Sequence, residues 1–170
     1  MAEKPLFNAT SSQKIDLLKQ RALVQTDEHY LEFVEQVNGV GYINDSKSIR
    51  LKETLDSLKR IDASIVLIIG GEKDKGNDYS ILTKQIKEKV NAIIYLGEDS
   101  DAILQHFSTH SMLFAKATSI EEAVQMAYFF ANVKDVVLFS PGCDHSFDYK
   151  VRGYKFKKEV KKLPTSSAEA

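Results

Sequence analysis

The sequence predicts an α/β fold with a mostly parallel sheet and helices on both of its faces. Four apolar runs are too short for helices and are bounded by turn or polar residues, a pattern typical of strands buried on both faces. Helical patterns separate these runs, and such alternation favours a parallel sheet covered on both sides. The runs are SIVLIIG (64–70), NAIIYLG (91–97), MLFA (112–115) and DVVLF (135–139).

The four helical patterns each place apolar residues on one face of a helix. In the last of them, Ser119 is the predicted N-cap and Glu122 completes a capping box. Residues 128–130 are consecutive aromatic residues, so we expect at least one of them at the surface or against a partner. The four faces are defined by Leu51, Leu55 and Leu58; Ile81, Ile86 and Val90; Ile103, Leu104 and Phe107; and Ile120, Ala123, Val124 and Ala127.

Two further elements precede this alternation. Residues 12–22 carry a helical spacing of apolar residues behind a serine, which is a common helix N-cap. Asn38-Gly39 lies between two apolar stretches and predicts a β-hairpin, because both residues tolerate a positive φ. The predicted organisation is an N-terminal extension with a helix (1–28), an α/β domain (29–163) and a flexible tail (164–170).

Composition and charge exclude several classes of protein. Lys and Arg total 23 against 24 for Asp and Glu, so no net field favours nucleic acid or an anionic membrane. The N-terminus does not have the pattern of a signal peptide, and no apolar run approaches the roughly 20 residues that span a bilayer. Cys143 is the only cysteine, so no intrachain disulfide forms, which fits a reducing cytosol. We therefore expect a cytoplasmic protein without a nucleic-acid or membrane partner.

Three polar stretches follow predicted strands, where ligands bind in open α/β sheets. They are NDSKS (44–48), GGEKDKGND (70–78) and SPGCDHS (140–146). Lysines, carboxylates and small turn residues on one rim fit an anion site, and they equally fit ordinary loops and helix caps. Both interpretations remain open from the pattern alone.

Residue spacing assigns neither a catalytic residue nor a metal site. His106 and His110 are four apart and could share a helix face as weak metal ligands, or simply lie at a solvated helix end. Cys143 has no evident base within its own motif, which favours a small loop residue over a nucleophile. His145, between Asp144 and Ser146, also shows no metal-ligand spacing.

Three stretches, in this order, resemble motifs of the Mur ligase C-terminal domain: HYLEFVEQVNGVGYINDSKS, GGEKDKGNDYS and LFSPGCDHSFDYKVRGYKF. The family motifs are His-Arg-x-Glu with Asn/Asp-Asp-Ser-Lys-Ala-Thr, then Gly-Gly-x-Asp-Lys-Gly-x-Asp-Phe/Tyr, then Leu-Leu-Ser-Pro-Ala-Cys-Ala-Ser-Phe-Asp. The resemblance covers residues 29–163, and the Asp-Lys-Gly and Ser-Pro-x-Cys versions point to the D-glutamate-adding branch. It implies a Rossmann-like sheet.

The resemblance also implies roles for four residues. Asp45 and Lys47 match nucleotide-binding positions, although Asp45 could instead cap a helix that begins near Ser48. Lys75 and Ser146 match D-glutamate-binding positions, and charge-assisted hydrogen bonds suit such a dicarboxylate. In the family this domain delivers the amino acid to an acyl phosphate, and ATP and magnesium are held by the central domain. We therefore expect this chain to bind no cofactor independently.

The chain departs from the family pattern at the functional rim. Tyr30 replaces the Arg of His-Arg, Ile49 replaces a Thr that binds D-glutamate, and Tyr149 is a loose stand-in for an aromatic contact. The 170 residues contain no G-x-x-x-x-G-K-[ST] phosphate loop. These departures imply that the chain does not carry out ligation alone.

The sequence leaves three functions open. The first is a non-catalytic binding or regulatory module linked to peptidoglycan precursor synthesis. The second is the amino-acid-delivering part of an ATP-dependent D-glutamate ligase whose other domains are on another chain. The third is a purely structural protein-interaction domain. The corresponding partners are another protein, a second copy of the chain, or a small anionic ligand such as D-glutamate.

Overall fold

The structure is a computed structural model that describes Asp16 and residues 27–71, 77–98, 100–110, 112–144 and 148–166. Asp16 is helical, and the rest of the helix predicted over residues 12–22 lies outside the described residues. Among the described helices, none combines the length and the apolar character needed to cross a membrane.

Six strands form one sheet in the order β1-β2-β6-β3-β4-β5. β1 and β2 are the antiparallel hairpin expected around Asn38-Gly39, and both turn residues have positive φ values, +49° and +81°. Every other neighbouring pair is parallel, which confirms the predicted fold class. The strands are β1 (Glu32–Val37), β2 (Val40–Asn44), β3 (Ile65–Ile69), β4 (Val90–Leu96), β5 (Leu113–Ala117) and β6 (Val136–Phe139).

Helices cover both faces of the sheet. Alternate residues of β3 point to opposite sides, so Leu67 joins one apolar core and Ile68 joins the other. The first core contains side chains of α1, α2 and α3, and the second contains those of α4 and α5. The helices are α1 (Leu51–Arg60), a 3₁₀ turn (Tyr79–Leu82) that leads into α2 (Thr83–Lys89), α3 (Asp101–Phe107), α4 (Ile120–Phe130) and α5 (Tyr149–Val160).

Two elements differ from the sequence-based expectation. Val90 was assigned to a helix face, but it is the first residue of β4 and pairs with Ile65 of β3. A β-branched residue suits this extended, buried position. The sequence pattern does not predict helix α5, because Gly153 lies near its centre and glycine disfavours helices. Asp148, whose side chain accepts a hydrogen bond from the Lys150 amide, is the N-cap signal for this helix.

The predicted N-cap of α4 is confirmed, whereas the predicted capping box does not close on Ser119. The Ser119 hydroxyl oxygen accepts a hydrogen bond from the Glu122 amide at 3.1 Å. The Glu122 carboxylate accepts from the Thr118 amide at 2.7 Å, so the reciprocal half of the capping box reaches one residue further back. Phe129 is 78% exposed, as expected for one of three consecutive aromatic residues.

Residues 164–166, which the sequence assigns to the tail, form hydrogen bonds with the hairpin turn. The Pro164 carbonyl accepts from the Asn38 side-chain amide at 3.0 Å. The Ser166 amide in turn donates to Asn38 Oδ1 at 2.7 Å. Specific contacts therefore continue three residues beyond Leu163.

Candidate functional site

The first and third polar stretches meet because their strands are parallel neighbours. In the β2–β6 pair, Asn44 lies opposite Phe139, so the loops that follow both strands leave the same edge of the sheet. β3 lies on the other side of β6, and the Gly70 amide donates to the Pro141 carbonyl at 2.9 Å. The start of the second stretch is thus at the same rim, while residues 72–76 lie outside the described residues.

A cleft of about 430 Å³ opens between the loop after β2, the segment before β1 and the first turn of α5. It contains Lys47 together with Tyr30, Ile49 and Tyr149, the three residues named above as replacements of family contacts. Its lining residues are Asp27, Tyr30, Lys47, Ser48, Ile49, Glu53 and Tyr149. The tertiary structure therefore gathers these departures into one site.

Charged groups of this cleft already have partners. Lys47 Nζ lies 3.7 Å from Asp27 Oδ2, and both side chains are substantially exposed. The Glu53 carboxylate accepts from the Ile49 amide at 2.8 Å and from the Arg50 guanidinium at 2.6 Å, at the start of α1. Sequence reasoning missed Glu53, although a glutamate in the first turn of a helix is a capping-box signal. The cleft suits a partly apolar ligand with one anionic group.

Asp45, in the same loop as Lys47, is fully buried. Its Oδ1 accepts from the Leu31 amide at 3.1 Å, and its Oδ2 accepts from the Ser48 and Ser140 hydroxyls, both at 2.7 Å. Burial raises the pKa of the Asp45 carboxyl above its ordinary value, against the effect of these hydrogen bonds. The carboxylate joins the loops after β2 and β6.

The alternative that Asp45 caps a helix is wrong. Helix α1 begins at Leu51, and its N-cap is Arg50. A nucleotide contact of Asp45 stays a prediction, and it requires the carboxylate to leave its buried hydroxyl partners.

Arg152 ties α5 to both loops. The guanidinium donates from Nε and Nη2 to the Ser46 carbonyl at 3.1 and 2.7 Å, and from Nη1 to the Cys143 carbonyl at 3.0 Å. Arg152 is only 5% exposed, and burial lowers the pKa of its guanidinium. Sequence reasoning assigned no role to Arg152, although it lies in the third of the stretches that resemble the family.

His29, whose carbonyl accepts a hydrogen bond from the Lys47 amide at 3.0 Å, has a strained conformation with φ +70°. Its ring is buried, and Nδ1 lies 2.9 Å from the side-chain nitrogen of Asn44, which donates to it and so leaves the ring proton on Nε2. Within the part of the chain that the structure describes, Nε2 has no hydrogen-bond partner. The Tyr154 ring packs edge-on at a centroid distance of 4.9 Å. Burial lowers the pKa of His29, and the nearby Glu28 and Glu32 carboxylates oppose this shift.

We expect wild-type stability to fall with acidification more steeply than that of His29→Gln. Since the folded-state pKa of His29 is below its ordinary value of about 6.5, the unfolded chain takes up the proton first. This contribution is complete above the unfolded-state pKa and is lost as pH falls from that value through the lower folded-state pKa. Urea unfolding from pH 7.5 to pH 5 measures the difference, with His106→Gln as a control for histidine removal elsewhere. Parallel curves for wild type and His29→Gln would contradict the prediction. The charged groups acting on the ring are Glu28, Glu32, Lys157 and Asp148.

Lys75 and Ser146 lie outside the described residues, so their match to D-glutamate-binding positions stays a prediction. Cys143 is buried, and its carbonyl accepts a hydrogen bond from Arg152. His106 contacts the Thr83 hydroxyl at 2.8 Å. Over the described ranges, no group of three or more metal-ligating side chains comes together.

Curated relatives of the chain are D-glutamate-adding ligases. The UDP-N-acetylmuramoylalanine–D-glutamate ligase of Christiangramia forsetii is 41% identical over 167 residues, covering 96% of this chain and 37% of the ligase. That of Chloroherpeton thalassium is 43% identical over 140 residues, covering 80% and 29%. That of Bacteroides fragilis is 37% identical over 161 residues, covering 92% and 36%. The chain thus spans about a third of the length of these relatives. No protein-family model matches the chain.

Solved structures show the same fold at low sequence identity. The UDP-N-acetylmuramate-alanine ligase of Thermotoga maritima superposes with a TM-score of 0.51 at 10% identity, covering 79% of this chain and 30% of that one. The MurF ligase of Thermotoga maritima, solved in complex with ADP, gives a TM-score of 0.51 at 14% identity, covering 81% and 32%. The fold is therefore that of a Mur ligase domain, and by sequence the chain resembles the C-terminal domain of the D-glutamate-adding Mur ligase.

Proposed function

We propose that the chain is a non-catalytic binding or regulatory module that serves peptidoglycan precursor synthesis in the cytoplasm. The observation that carries this proposal is the cleft in which Tyr30, Ile49 and Tyr149 surround Lys47. Ile49 cannot donate to or accept from a ligand, and a buried polar group left without a partner costs about 1–3 kcal/mol. The cleft therefore favours binding without the full set of contacts that delivery of D-glutamate requires.

The proposed ligand is a small anion such as D-glutamate, held through one carboxylate. Lys47 supplies the positive charge. Its ammonium group exchanges the carboxylate of Asp27, 3.7 Å away, for the carboxylate of the ligand. Exposed ion pairs contribute only about 0–1 kcal/mol, so this exchange costs little. Tyr30 and Tyr149 provide apolar ring surface but no second positive charge. We therefore expect D-glutamate to bind weakly.

Restoring a hydroxyl at position 49 should tighten the binding of D-glutamate. We expect Ile49→Thr to lower its Kd roughly three- to tenfold, the worth of one hydrogen bond of about 0.5–1.5 kcal/mol. Lys47→Ala should abolish saturable binding. The measurement is an NMR titration that follows the backbone amides of residues 47–50.

Ile81→Thr is the matched control, because Ile81 is 42% exposed and lies outside the cleft. It should leave the Kd unchanged. If Ile49→Thr and Lys47→Ala both bind D-glutamate as the wild type does, this cleft is not the ligand site. Formation of ADP by the chain alone, given Mg-ATP, D-glutamate and UDP-N-acetylmuramoyl-L-alanine, would overturn the non-catalytic role.

The second candidate is delivery of D-glutamate to a ligase whose other domains are on another chain. The 41% identity over 96% of the chain favours it. It is tested by mixing this chain with a relative that lacks the matched third and assaying ligation. Ligation that is lost in Lys75→Ala would establish this candidate in place of the first.

A third candidate is an interaction domain without a small-molecule ligand. Phe129, in the last turn of α4, and Val133, three residues after the helix, are 78% and 66% exposed and favour contact with a protein or a second copy. Light scattering at increasing concentration, compared between wild type and Phe129→Ser, reports self-association through this surface. A monomer in both cases would exclude a second copy as the partner.

A further inference from the structure

A second cleft of about 480 Å³ lies at the carboxyl ends of β3, β4 and β5. Within the described part of the chain, it shares no lining residue with the cleft around Lys47. Its floor is main chain at Gly70-Gly71 and Gly97, one wall is the start of α4, and the other wall is one side of α5. Carboxyl ends of strands are the usual binding edge of open α/β sheets.

Glycine is required at the floor of this cleft. Gly70 has φ +104° and Gly97 has φ +140°, backbone conformations that residues other than glycine rarely adopt. A Cβ atom at Gly70 would lie 2.7 Å from the Tyr95 ring and 2.9 Å from the Leu96 carbonyl oxygen. The floor therefore presents bare main chain, against which a ligand can approach closely.

The wall formed by α5 is positively charged, although the whole chain carries a net charge of −1. Arg152, Lys155 and Lys158 line it, and across the residues that the structure describes, neither lysine is in an ion pair. The carboxylate of Glu159 is bound by Lys162 at 2.7 and 2.9 Å. Among the described lining residues, Lys155 and Lys158 thus stand against the carboxylate of Glu121, while the Arg152 guanidinium is engaged by main-chain carbonyls.

The opposite wall adds the positive end of a helix dipole. Helix α4 has eleven residues, and the Glu122 amide donates its hydrogen bond to the Ser119 hydroxyl oxygen. The amides of Ile120 and Glu121 belong to the first turn, where a helix has no internal acceptors for its N–H groups. Glu122 does not line the cleft, and its carboxylate is bound to Thr118.

We propose that this cleft binds the phosphate group of a small phosphorylated metabolite. Mobile lysine charges, helix-start amides and a bare glycine corner suit a compact dianion with several acceptor oxygens. A planar carboxylate is best held by an arginine fork, and the fork of Arg152 is engaged by main-chain carbonyls. Leu96 and Val151 offer apolar contact to the body of the metabolite.

The test compares Lys155→Gln/Lys158→Gln with Lys150→Gln/Lys161→Gln in NMR titrations of inorganic pyrophosphate at constant ionic strength. Both variants remove the same charge from one helical region, but only the first changes the cleft. We expect saturable shifts of the Gly97, Ile120 and Glu121 amides in wild type. The cleft variant should weaken binding roughly tenfold or more, as expected for lost charge-assisted hydrogen bonds. The control should stay within about twofold of wild type, as expected for exposed charges that do not line the cleft and are screened by salt.

If both double variants weaken pyrophosphate binding equally, the effect comes from the net charge of the helix and not from the cleft, and the proposal is overturned. Absence of saturable shifts up to millimolar pyrophosphate would also overturn it. Succinate that binds as tightly as pyrophosphate would exclude phosphate as the preferred group. All four lysines are exposed, so circular dichroism is expected to show unchanged folding in both variants. Lys47→Ala should leave pyrophosphate binding intact, which separates this outcome from that of the first cleft.

Discussion

Replacing Gly153 by alanine is expected to lower the free energy of unfolding by about 2–3 kcal/mol, a typical cost of overpacking a buried contact. Gly153 lies in the middle of α5, where alanine would otherwise be favoured over glycine by about 1 kcal/mol. A methyl group at this position would overlap His29 Nδ1 and the Ser46 hydroxyl, and it would lie 2.8 Å from His29 Cε1. The overlap outweighs the gain in helix propensity because both neighbours are buried.

Urea unfolding of Gly153→Ala, with Lys150→Ala as the control, measures this effect. Lys150 is exposed at the start of the same helix, so its replacement should change stability by no more than about 0.5 kcal/mol. In a His29→Ala background, the cost of Gly153→Ala should fall by about 1 kcal/mol or more, since one of the overlapping groups is gone. Stability of Gly153→Ala equal to wild type would show that α5 does not pack this closely against His29.

Asp45→Ala is expected to destabilise the fold by about 3 kcal/mol, because it leaves buried donors without an acceptor. The donors are the Leu31 amide and the hydroxyls of Ser48 and Ser140. For a chain of this length, such a loss lowers Tm by roughly 6–12 °C. Calorimetry measures it against Asp56→Ala, which removes an exposed carboxylate 3.9 Å from Lys59. A Tm drop no larger than that of Asp56→Ala would mean that Asp45 is dispensable for folding.

Asp45→Asn separates the charge of Asp45 from its shape. Burial holds the folded-state pKa of Asp45 above its ordinary value of about 4, so its stabilising contribution is present below that value. The contribution is lost as pH rises through the folded-state pKa. The stability advantage of wild type over Asp45→Asn should therefore shrink as pH rises from 4 to 7. A constant difference across this range would show that the carboxyl titrates alike in the folded and unfolded chain.

Strand positions could be predicted because their residues carry the signal themselves. The apolar runs around residues 65–69 and 136–139 are buried on both faces, so every side chain in them must be apolar. Asn38-Gly39 likewise specifies the hairpin through its own tolerance of positive φ. Helix α5 escaped prediction because Gly153 is kept for its contact with His29, a requirement that no local pattern reveals.

The candidate site was likewise predicted only in part. Its motifs follow strands that end at one rim of the sheet, and Lys47 lines a cleft there, while a binding role for these residues stays a prediction. Burial of Asp45 did not follow from its motif, since one partner is the hydroxyl of Ser140, 95 residues later in the chain. Arg152 was missed for a related reason, because it acts through the carbonyl of Ser46, 106 residues earlier.

By itself, the sequence determined the α/β class, the strand positions, the hairpin and the resemblance to a Mur ligase C-terminal domain. Only the tertiary structure decided which rim residues face solvent and which are buried, and it alone revealed the cleft around Gly97 and Lys155. The physical reason is that hydrophobic period and turn chemistry act over a few neighbouring residues. The surroundings of a rim side chain depend instead on strand order, which places β6 between β2 and β3 and joins loops that are far apart in the chain.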